Sequence, residues 1–319
     1  MKVVAVPTYG GPEALQLVDV PTPEAGRGQV RVRVSAATVN PADVLLRIGD
    51  IDHVMQEGAP RPFRPGMEIA GVLDQIGEDA NTELVVGDRV IAMVIPIEPS
   101  GGAYAEYIVL DATQVVRAPV GTTHEQAATL PMNGLTARAA LDDIAVPADA
   151  TILVTGAVGA VGGYVVQLAK HAGLTVIADA APADAQLARS LGVDVVVHRG
   201  PDLGKRVREL YPDGVAAVVD AALLQEDVAP AIAPGGVIAR LRSPGERGTR
   251  PIEGFDVREK QVAGMRYRDA RDVLEELVSL VEQEVLTLRV AGVVDAQDAP
   301  EAHRALEAGG LRGRMVLKF

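Results

Sequence analysis

The sequence contains no cysteine and no tryptophan, and its aromatic residues are six tyrosines and three phenylalanines in 319 positions. Without cysteine there can be no disulfide and no thiolate zinc site. Five histidines are present, His53, His124, His171, His198 and His303, and none stands at metal-ligand spacing from another; no metal is expected, and all but His198 read as surface or capping residues. Basic blocks are missing too. The formal net charge is −13, which repels a phosphate backbone and argues against a nucleic-acid partner. The nearest approach to a basic cluster, Arg240, Arg242, Arg247 and Arg250, reads as a solvated loop in preference to a ligand-facing one. The opening residues MKVVAVPTYGG have neither the apolar core nor the small-residue cleavage site of a signal peptide, so a cytoplasmic protein is expected.

One stretch, Thr151 to Ala169, stays uncharged for long enough to span a bilayer. Gly156, Gly159, Gly162 and Gly163 interrupt it. It parses better as a buried strand (TILVT), a glycine turn and a helix that stops near Lys170, His171 and Gly173. No membrane association is expected.

The first hundred or so residues are rich in strand signals. QVRVRVSAATV alternates, GMEIAGVLDQIG and GDRVIAMVI are short apolar runs, and AYAEYIVLDATQVVRAP closes the series. Close Gly and Pro punctuation makes this a barrel-like or rolled β pattern. Tyr104 and Tyr107 alternate within it and read as core packing. After about Pro119 the texture changes. THEQAATLPMNGLTARAALDDI reads as helical, with Thr122 or Thr123 as its cap and Gln126 three residues beyond Thr123. Strands and helices then alternate through TILVT, TVIADA, DVVVH, VAAVVDAA and GGVIARLR, the rhythm of a doubly wound parallel sheet. The tail carries an amphipathic helix, RDARDVLEELVSLVEQE, a second helix, PEAHRALEAG, and a strand, GRMVLKF.

The glycine turn lies between the first strand of the α/β half and its helix, where backbone N–H groups and a helix N-terminus can meet a pyrophosphate. Its pattern is Ala157-x-Gly159-x-x-Gly162; Ala157 replaces the first glycine of the usual fingerprint. Gly159 would let the backbone approach the phosphates, and Gly162 would let the helix pack on the strand. Asp179, at the end of the next strand, is the acid expected about 20 residues on. It could hold the ribose hydroxyls of NAD, or stand one position early with its side chain on the other face.

These features resemble the zinc-independent quinone oxidoreductase branch of the medium-chain dehydrogenase/reductase superfamily. The resemblance rests on YGGPEALQLVDVPTPEAGRGQVRVRVSAATVNPAD, RPGMEIAGVL, VGDRV, GGAYAEY, QAATLPMNGLTARAAL, VTGAVGAVGGYVVQLAKHAG and GLRGRMVL, spread over nearly the whole chain. It implies an α/β fold: a Rossmann doubly wound sheet over residues 119–266 and a β-rich GroES-like catalytic domain from residues 1–118 and 267–319. The active site is expected in the cleft where they meet. The strand in REKQVAGM would be the sheet edge, which in this family commonly pairs across a two-fold axis, so a homodimer is expected.

Where zinc-dependent relatives carry a His-Glu pair, this chain has Met67-Glu68, and Asn40-Pro41-Ala42-Asp43 stands where they carry a cysteine. Without a Lewis acid, alcohol oxidation is disfavoured. The resemblance implies hydride transfer from a nicotinamide to an electron-poor acceptor, a quinone or an α,β-unsaturated carbonyl. By position, Asn40 and Thr136 would lie by the nicotinamide, with Asp43 supporting Asn40. Ala157, Gly159, Ala160, Val161 and Gly162 would hold the pyrophosphate. Asp179, Ala180, Ala181, His198 and Arg199 would surround the adenosine ribose. Ala222 and Leu241 would line the nicotinamide side, and Arg314 would close over from the terminal strand. NADPH is the expected cofactor, with NADH as the alternative. The tyrosine that many relatives carry after the Asn-x-x-Asp motif is absent: Leu45, Leu46 and Ile51 occupy the region, so no proton donor is assigned. Phe63, in the loop over residues 51–65, is expected to line the substrate cleft. Two other readings stand beside this one. A dedicated enoyl-thioester or polyketide-type reductase would use Arg61, Arg64, Arg240 and Arg242 for a carrier phosphate. A non-catalytic NADP-binding sensor is the other.

Overall fold

The computed structural model describes residues 1–59, 61–242 and 249–319; Arg247 of the candidate basic cluster lies outside them. The described residues divide into two units, Met1–Met132 with Met265–Glu284 and Leu288–Phe319, and Asn133–Gly264 with Val285–Thr287.

The first unit is β-rich. Strands β1 (Lys2–Ala5) and β2 (Gln16–Asp19) form an antiparallel ribbon. In β3 (Gln29–Thr38), Val30, Val32 and Val34 are buried while Arg33 is exposed, as the period of two dictates. From Ala36 onward burial becomes continuous, because both faces are now covered. Helix α1 (Pro41–Ile48) begins at Asn40-Pro41, where the ring presets the first helical turn, and ends at Gly49 in the left-handed conformation. Strands β4 (Glu68–Ile76), β5 (Arg89–Met93), β6 (Tyr107–Asp111) and β7 (Val115–Arg117) follow. The short helix α2 (His124–Ala127) has the expected reciprocal cap: Gln126 N–H donates to Thr123 Oγ1, and Thr123 N–H donates to the Gln126 side chain.

The single helix expected from THEQAATLPMNGLTARAALDDI is in fact two. Helix α3 (Pro131–Ile144) starts afresh at Pro131, which lacks an N–H and cannot continue α2. The second unit then runs β8 (Thr151–Thr155), α4 (Ala160–His171), β9 (Thr175–Ala180), α5 (Ala185–Ser190), β10 (Val195–His198), α6 (Leu203–Leu210), β11 (Val215–Asp220), β12 (Ile232–Arg240) and β13 (Val257–Gln261). The strand order is β10-β9-β8-β11-β12-β13, and every pairing is parallel. The order reverses between β8 and β11, the position where doubly wound sheets bind ligands beyond their strand ends. Ile152, Leu153 and Val154 are fully buried, as suits a central strand covered on both faces.

The tail completes the first unit with α7 (Arg271–Glu282), β14 (Val290–Asp295), α8 (Ala299–Ala308) and β15 (Arg314–Lys318). Strand β15 lies antiparallel to β3, and the sheet runs β14-β15-β3-β4-β5-β7 with β6 also on β3. The fold is therefore α/β, a Rossmann-type parallel sheet with a separate, mainly antiparallel GroES-like unit. Among the described residues no helix is long and apolar enough to cross a membrane.

Candidate functional site

In the second unit the glycine turn sits between β8 and α4, at the sheet's switch point. Gly159, which has no side chain of its own to cap the helix, is the N-cap of α4. A Cβ at Gly162 would lie 2.3 Å from the Gly156 carbonyl oxygen, so the helix can approach the turn this closely only without a side chain there. Ala157 is buried, whereas Gly159, Ala160 and Val161 are half-buried. The helix therefore begins at a glycine, with no acidic residue in its first turn and its positive dipole end at the glycine turn.

Asp179 is the penultimate residue of β9 and is only 1% exposed. It accepts the Gly156 N–H at 2.8 Å and the Arg199 Nε–H at 2.6 Å. Its carboxylate thus ties the turn to the end of β10 and has its charge balanced. Ala180 pairs in register with His198, and Arg199 N–H donates to the Ala180 carbonyl at 2.9 Å. Ala180, Ala181, His198 and Arg199 accordingly gather at one end of the sheet, with His198 and Arg199 exposed.

On the other side of β8, Thr155 Oγ1 donates to Asp220 at 2.7 Å and accepts the Ala222 N–H at 2.9 Å. Asp220 also accepts the N–H groups of Leu224 and Gln225. This holds residues 221–225 in a tight loop with Leu223 and Gln225 at φ 57° and 56°, a conformation that costs a non-glycine residue about 1 kcal/mol or more. The loop carries Ala222, which is exposed, and Leu241 follows β12 half-buried. Arg240 overturns the solvated-loop reading. It is 2% exposed and paired with Glu259 at 2.5 Å, with further bonds to Gln225 and the Arg250 carbonyl. Its strand is internal to the sheet, and a buried guanidinium needs such partners. Thr136, on α3, is 9% exposed and packs against Gly264, whose Cβ would fall 2.4 Å from Thr136 Oγ1.

In the first unit, Asn40 caps α1 and is 3% exposed. Its N–H donates to Asp43 Oδ2 at 2.7 Å, and its Nδ2 donates to Thr38 Oγ1 at 3.0 Å and Glu68 Oε1 at 3.2 Å. Thr38 also hydrogen-bonds Glu68, and Glu68 Oε2 accepts the Met132 N–H at 2.7 Å. The Asn40 side-chain amide is therefore held by Thr38 and the buried Glu68 carboxyl, and its backbone N–H by the buried Asp43 carboxyl. Burial pushes the Asp43 carboxyl up to about 7, against the pull of the Asn40 and Gly66 N–H groups, with Glu68 adding to the rise and the Tyr104 hydroxyl opposing it. Burial also raises Glu68, opposed by Thr38, the Arg314 cation, Asn40 and Met132. Arg314, at the start of β15, is 9% exposed.

Sequence reasoning missed part of this arrangement. Glu68 is a lone charge in the apolar run GMEIAGVL, and that interruption is its only local signal. Tyr104 is in the core as expected, but its hydroxyl also meets Asp43 and His303. His303 is not a surface residue: it is fully buried on α8 beside Ala299 and Ala302. The helical spacing of those alanines marks the buried face on which the histidine falls. Phe63 is likewise buried in the core of the first unit, with Tyr9 stacked 6.0 Å from it. Arg64 is 9% exposed and donates to the Ser100 carbonyl. Among the described residues no three His, Asp or Glu side chains gather to hold a metal.

Two family models match the chain: Alcohol dehydrogenase GroES-like domain over residues 26–120 and Zinc-binding dehydrogenase over residues 160–283. Among curated relatives, a chloroplast envelope quinone oxidoreductase homolog of Arabidopsis thaliana is 30% identical over 86% of this chain and 85% of its own. The NADPH-dependent alkenal/one oxidoreductase, chloroplastic, of the same plant is 33% identical over 76% of this chain and 62% of its own. The polyketide synthase GfsB of Streptomyces halstedii is 33% identical over 91% of this chain, which spans 5% of that protein. The chain thus spans less than two thirds of the length of two of these three relatives, and only a small part of the polyketide synthase. Among solved structures, an NAD-dependent alcohol dehydrogenase matches with a TM-score of 0.86 at 30% identity, covering 100% of both chains. A mycobacterial protein complexed with NADPH matches with a TM-score of 0.85 at 28% identity, also covering 100% of both chains. The two-unit architecture, the glycine turn at the switch point and these likenesses agree, and the chain belongs to the medium-chain dehydrogenase/reductase superfamily, in its quinone oxidoreductase branch.

Proposed function

We propose that this chain is an NADPH-dependent oxidoreductase that reduces a quinone or an α,β-unsaturated carbonyl without zinc. The observation that carries the reading is the glycine-started N-terminus of α4 behind the Gly156–Gly162 turn, at the switch point of the sheet. The close packing at Gly162 keeps the helix end against the turn, the arrangement a pyrophosphate needs. The ribose end favours NADPH over NADH on charge. Asp179 would repel a 2′-phosphate if it were free, but it is buried and neutralised by Arg199, while exposed His198 and Arg199 stand beside it. Arg199 is therefore assigned to the 2′-phosphate, and Ala180 and Ala181 to the ribose. Ala157, Gly159, Ala160, Val161 and Gly162 are assigned to the pyrophosphate. Ala222, Leu241 and Arg314 are assigned to the nicotinamide end.

NADPH, when bound, supplies the hydride. The chain's part is to orient and to exclude water. Asn40 and Thr136 are assigned to the nicotinamide, and Asp43 fixes Asn40 through its backbone N–H. No side chain is assigned as proton donor, so water supplies the proton. The relatives support the acceptor class: one is named for quinones and another for alkenals and alkenones. The cysteine-free composition suits the cytoplasm, and the edge position of β13 suits a homodimer.

The test is a fluorescence titration with NADPH and NADH in parallel, followed by turnover of simple quinones and enones. The chain has no tryptophan, so the protein background is low. Selective NADPH binding with turnover is the expected result. NADH selectivity would reverse the cofactor assignment, and binding of neither would reduce the turn to packing. The similarity to a polyketide synthase over 91% of the chain favours a second reading, a reductase of enoyl thioesters. Turnover of an enoyl thioester far above that of quinones and free enones would select it. Absence of turnover on every acceptor despite NADPH binding would leave a nucleotide-binding sensor.

A further inference from the structure

His303 has no part in the chemistry proposed above, yet it lies fully buried between Arg47 and Tyr104. Arg47 is itself 1% exposed. Its Nη1 is 3.3 Å from His303 Nδ1, and Glu307 and the Gly10 carbonyl hold the rest of the guanidinium. A guanidinium has donors and no acceptor, so Nδ1 must accept from it. That fixes the tautomer: the ring proton is on Nε2. Nε2 lies 3.1 Å from the Tyr104 hydroxyl oxygen, which therefore accepts. The tyrosine's own proton then points at Asp43 Oδ2, 3.3 Å away. Asp43 already accepts Gly66 N–H at 2.6 Å and Asn40 N–H at 2.7 Å. Every bond in the chain Arg47, His303, Tyr104, Asp43 thus donates in one direction, toward the carboxyl that holds Asn40.

We infer that His303 is a positioning residue for the Asn40–Asp43 corner: it aims the Tyr104 hydroxyl at Asp43 and thereby sets the proton affinity and orientation of that carboxyl. The direction is stable because burial and the Arg47 cation keep His303 neutral, with its pKa lowered to about 3. A protonated ring would present two donors and oppose Arg47. The other charged groups acting on this cluster are Glu68 on β4, which pushes Asp43 up, Arg314 on β15, which acts on Tyr104 and Glu68, and Glu307 on α8, which acts on His303. The consequence for catalysis rests on the proposed function, whereas the hydrogen-bond chain does not.

The test labels the aspartate carboxyl carbons with 13C and follows Asp43 by NMR across pH, with Asp43→Asn to assign the signal. In Tyr104→Phe the carboxylate loses its donor and in His303→Leu that donor loses its aim, so in both the midpoint should rise, by about one pH unit in Tyr104→Phe. In His303→Gln, which stays neutral and can still donate to Tyr104, the midpoint should return toward that of the wild type. An unchanged midpoint in Tyr104→Phe, or a rise there with none in His303→Leu, overturns the inference. Should His303→Leu fail to fold, Tyr104→Phe against His303→Gln decides, with a rise expected in the first alone. With an enone acceptor, kcat should fall in Tyr104→Phe while KM changes little. A wild-type protein without turnover would sink the proposed function, and the NMR midpoints would still decide the role of His303.

Discussion

Asp43 and His303 lie one tyrosine hydroxyl apart, and burial displaces them in opposite directions, to about 7 and about 3. The raised Asp43 makes the folded chain bind more protons than the unfolded one, so its stabilising share is present at low pH and is lost as pH rises from about 4 to 7. The lowered His303 makes the folded chain bind fewer, so its share is present above about 6.5 and is lost as pH falls toward 3. Between pH 4 and 6.5 folding in effect moves a proton from imidazole to carboxyl, and the two slopes offset each other. Asp43→Asn should therefore be more stable at pH 6.5 than at pH 4, and His303→Leu less stable, each with a slope approaching 1.4 kcal/mol per pH unit. Urea denaturation across this range checks it, and parallel slopes in the two variants would refute it. At the ribose end, Arg199→Ala should weaken NADPH binding by about tenfold or more and shift preference toward NADH; equal loss for both nucleotides would remove Arg199 as the phosphate reader. The residues of the glycine turn were legible because the motif is local. His303 was not, because Arg47 and Tyr104 are distant in sequence and nothing near a lone histidine marks them as its neighbours.

Elements buried on both faces were the most legible. Strands β8, β9 and β11 are short, mostly apolar runs between turn signals. Strands β1, β2 and β14 were not read, because each is fixed by its neighbours more than by its own pattern. Helix α4 is held to its turn at Gly162, so Gly162→Ala should lower both the thermal midpoint and NADPH affinity. A variant with wild-type values would show that the close approach at this residue is dispensable. Strand β13 is an edge of the parallel sheet. Val262 N–H points inward to the Arg240 carbonyl at 2.9 Å, so by alternation Gln261 N–H points outward. Gln261→Pro should then remove an edge donor without breaking the β12 ladder. Light scattering should find the wild type at twice its 33.3 kDa chain mass and the variant shifted toward that single mass. A wild-type monomer would sink the dimer proposal.

At the scale of the whole molecule, the charge of −13 loads the folded surface with one sign. Self-repulsion opposes the compact state and is screened over about 10 Å at 0.1 M salt. The thermal midpoint should accordingly rise between low and physiological sodium chloride; a flat or falling midpoint would mean that the surface ion pairs outweigh the repulsion. Composition and charge conveyed this much before any element was assigned. They could not convey that the first unit is assembled from both ends of the chain, because strand pairing at that separation leaves no local pattern. Thr38 of β3 lies opposite Val316 of β15, and Val39 N–H donates to the Met315 carbonyl at 2.9 Å. On the ribosome, β3 emerges long before the strand that flanks it, while most of the second unit is contiguous and can close first. A nascent chain can thus have its glycine turn in place while the corner holding Asn40 still waits for its wall, so under the proposed function the capacity to hold a nucleotide matures before the capacity to react.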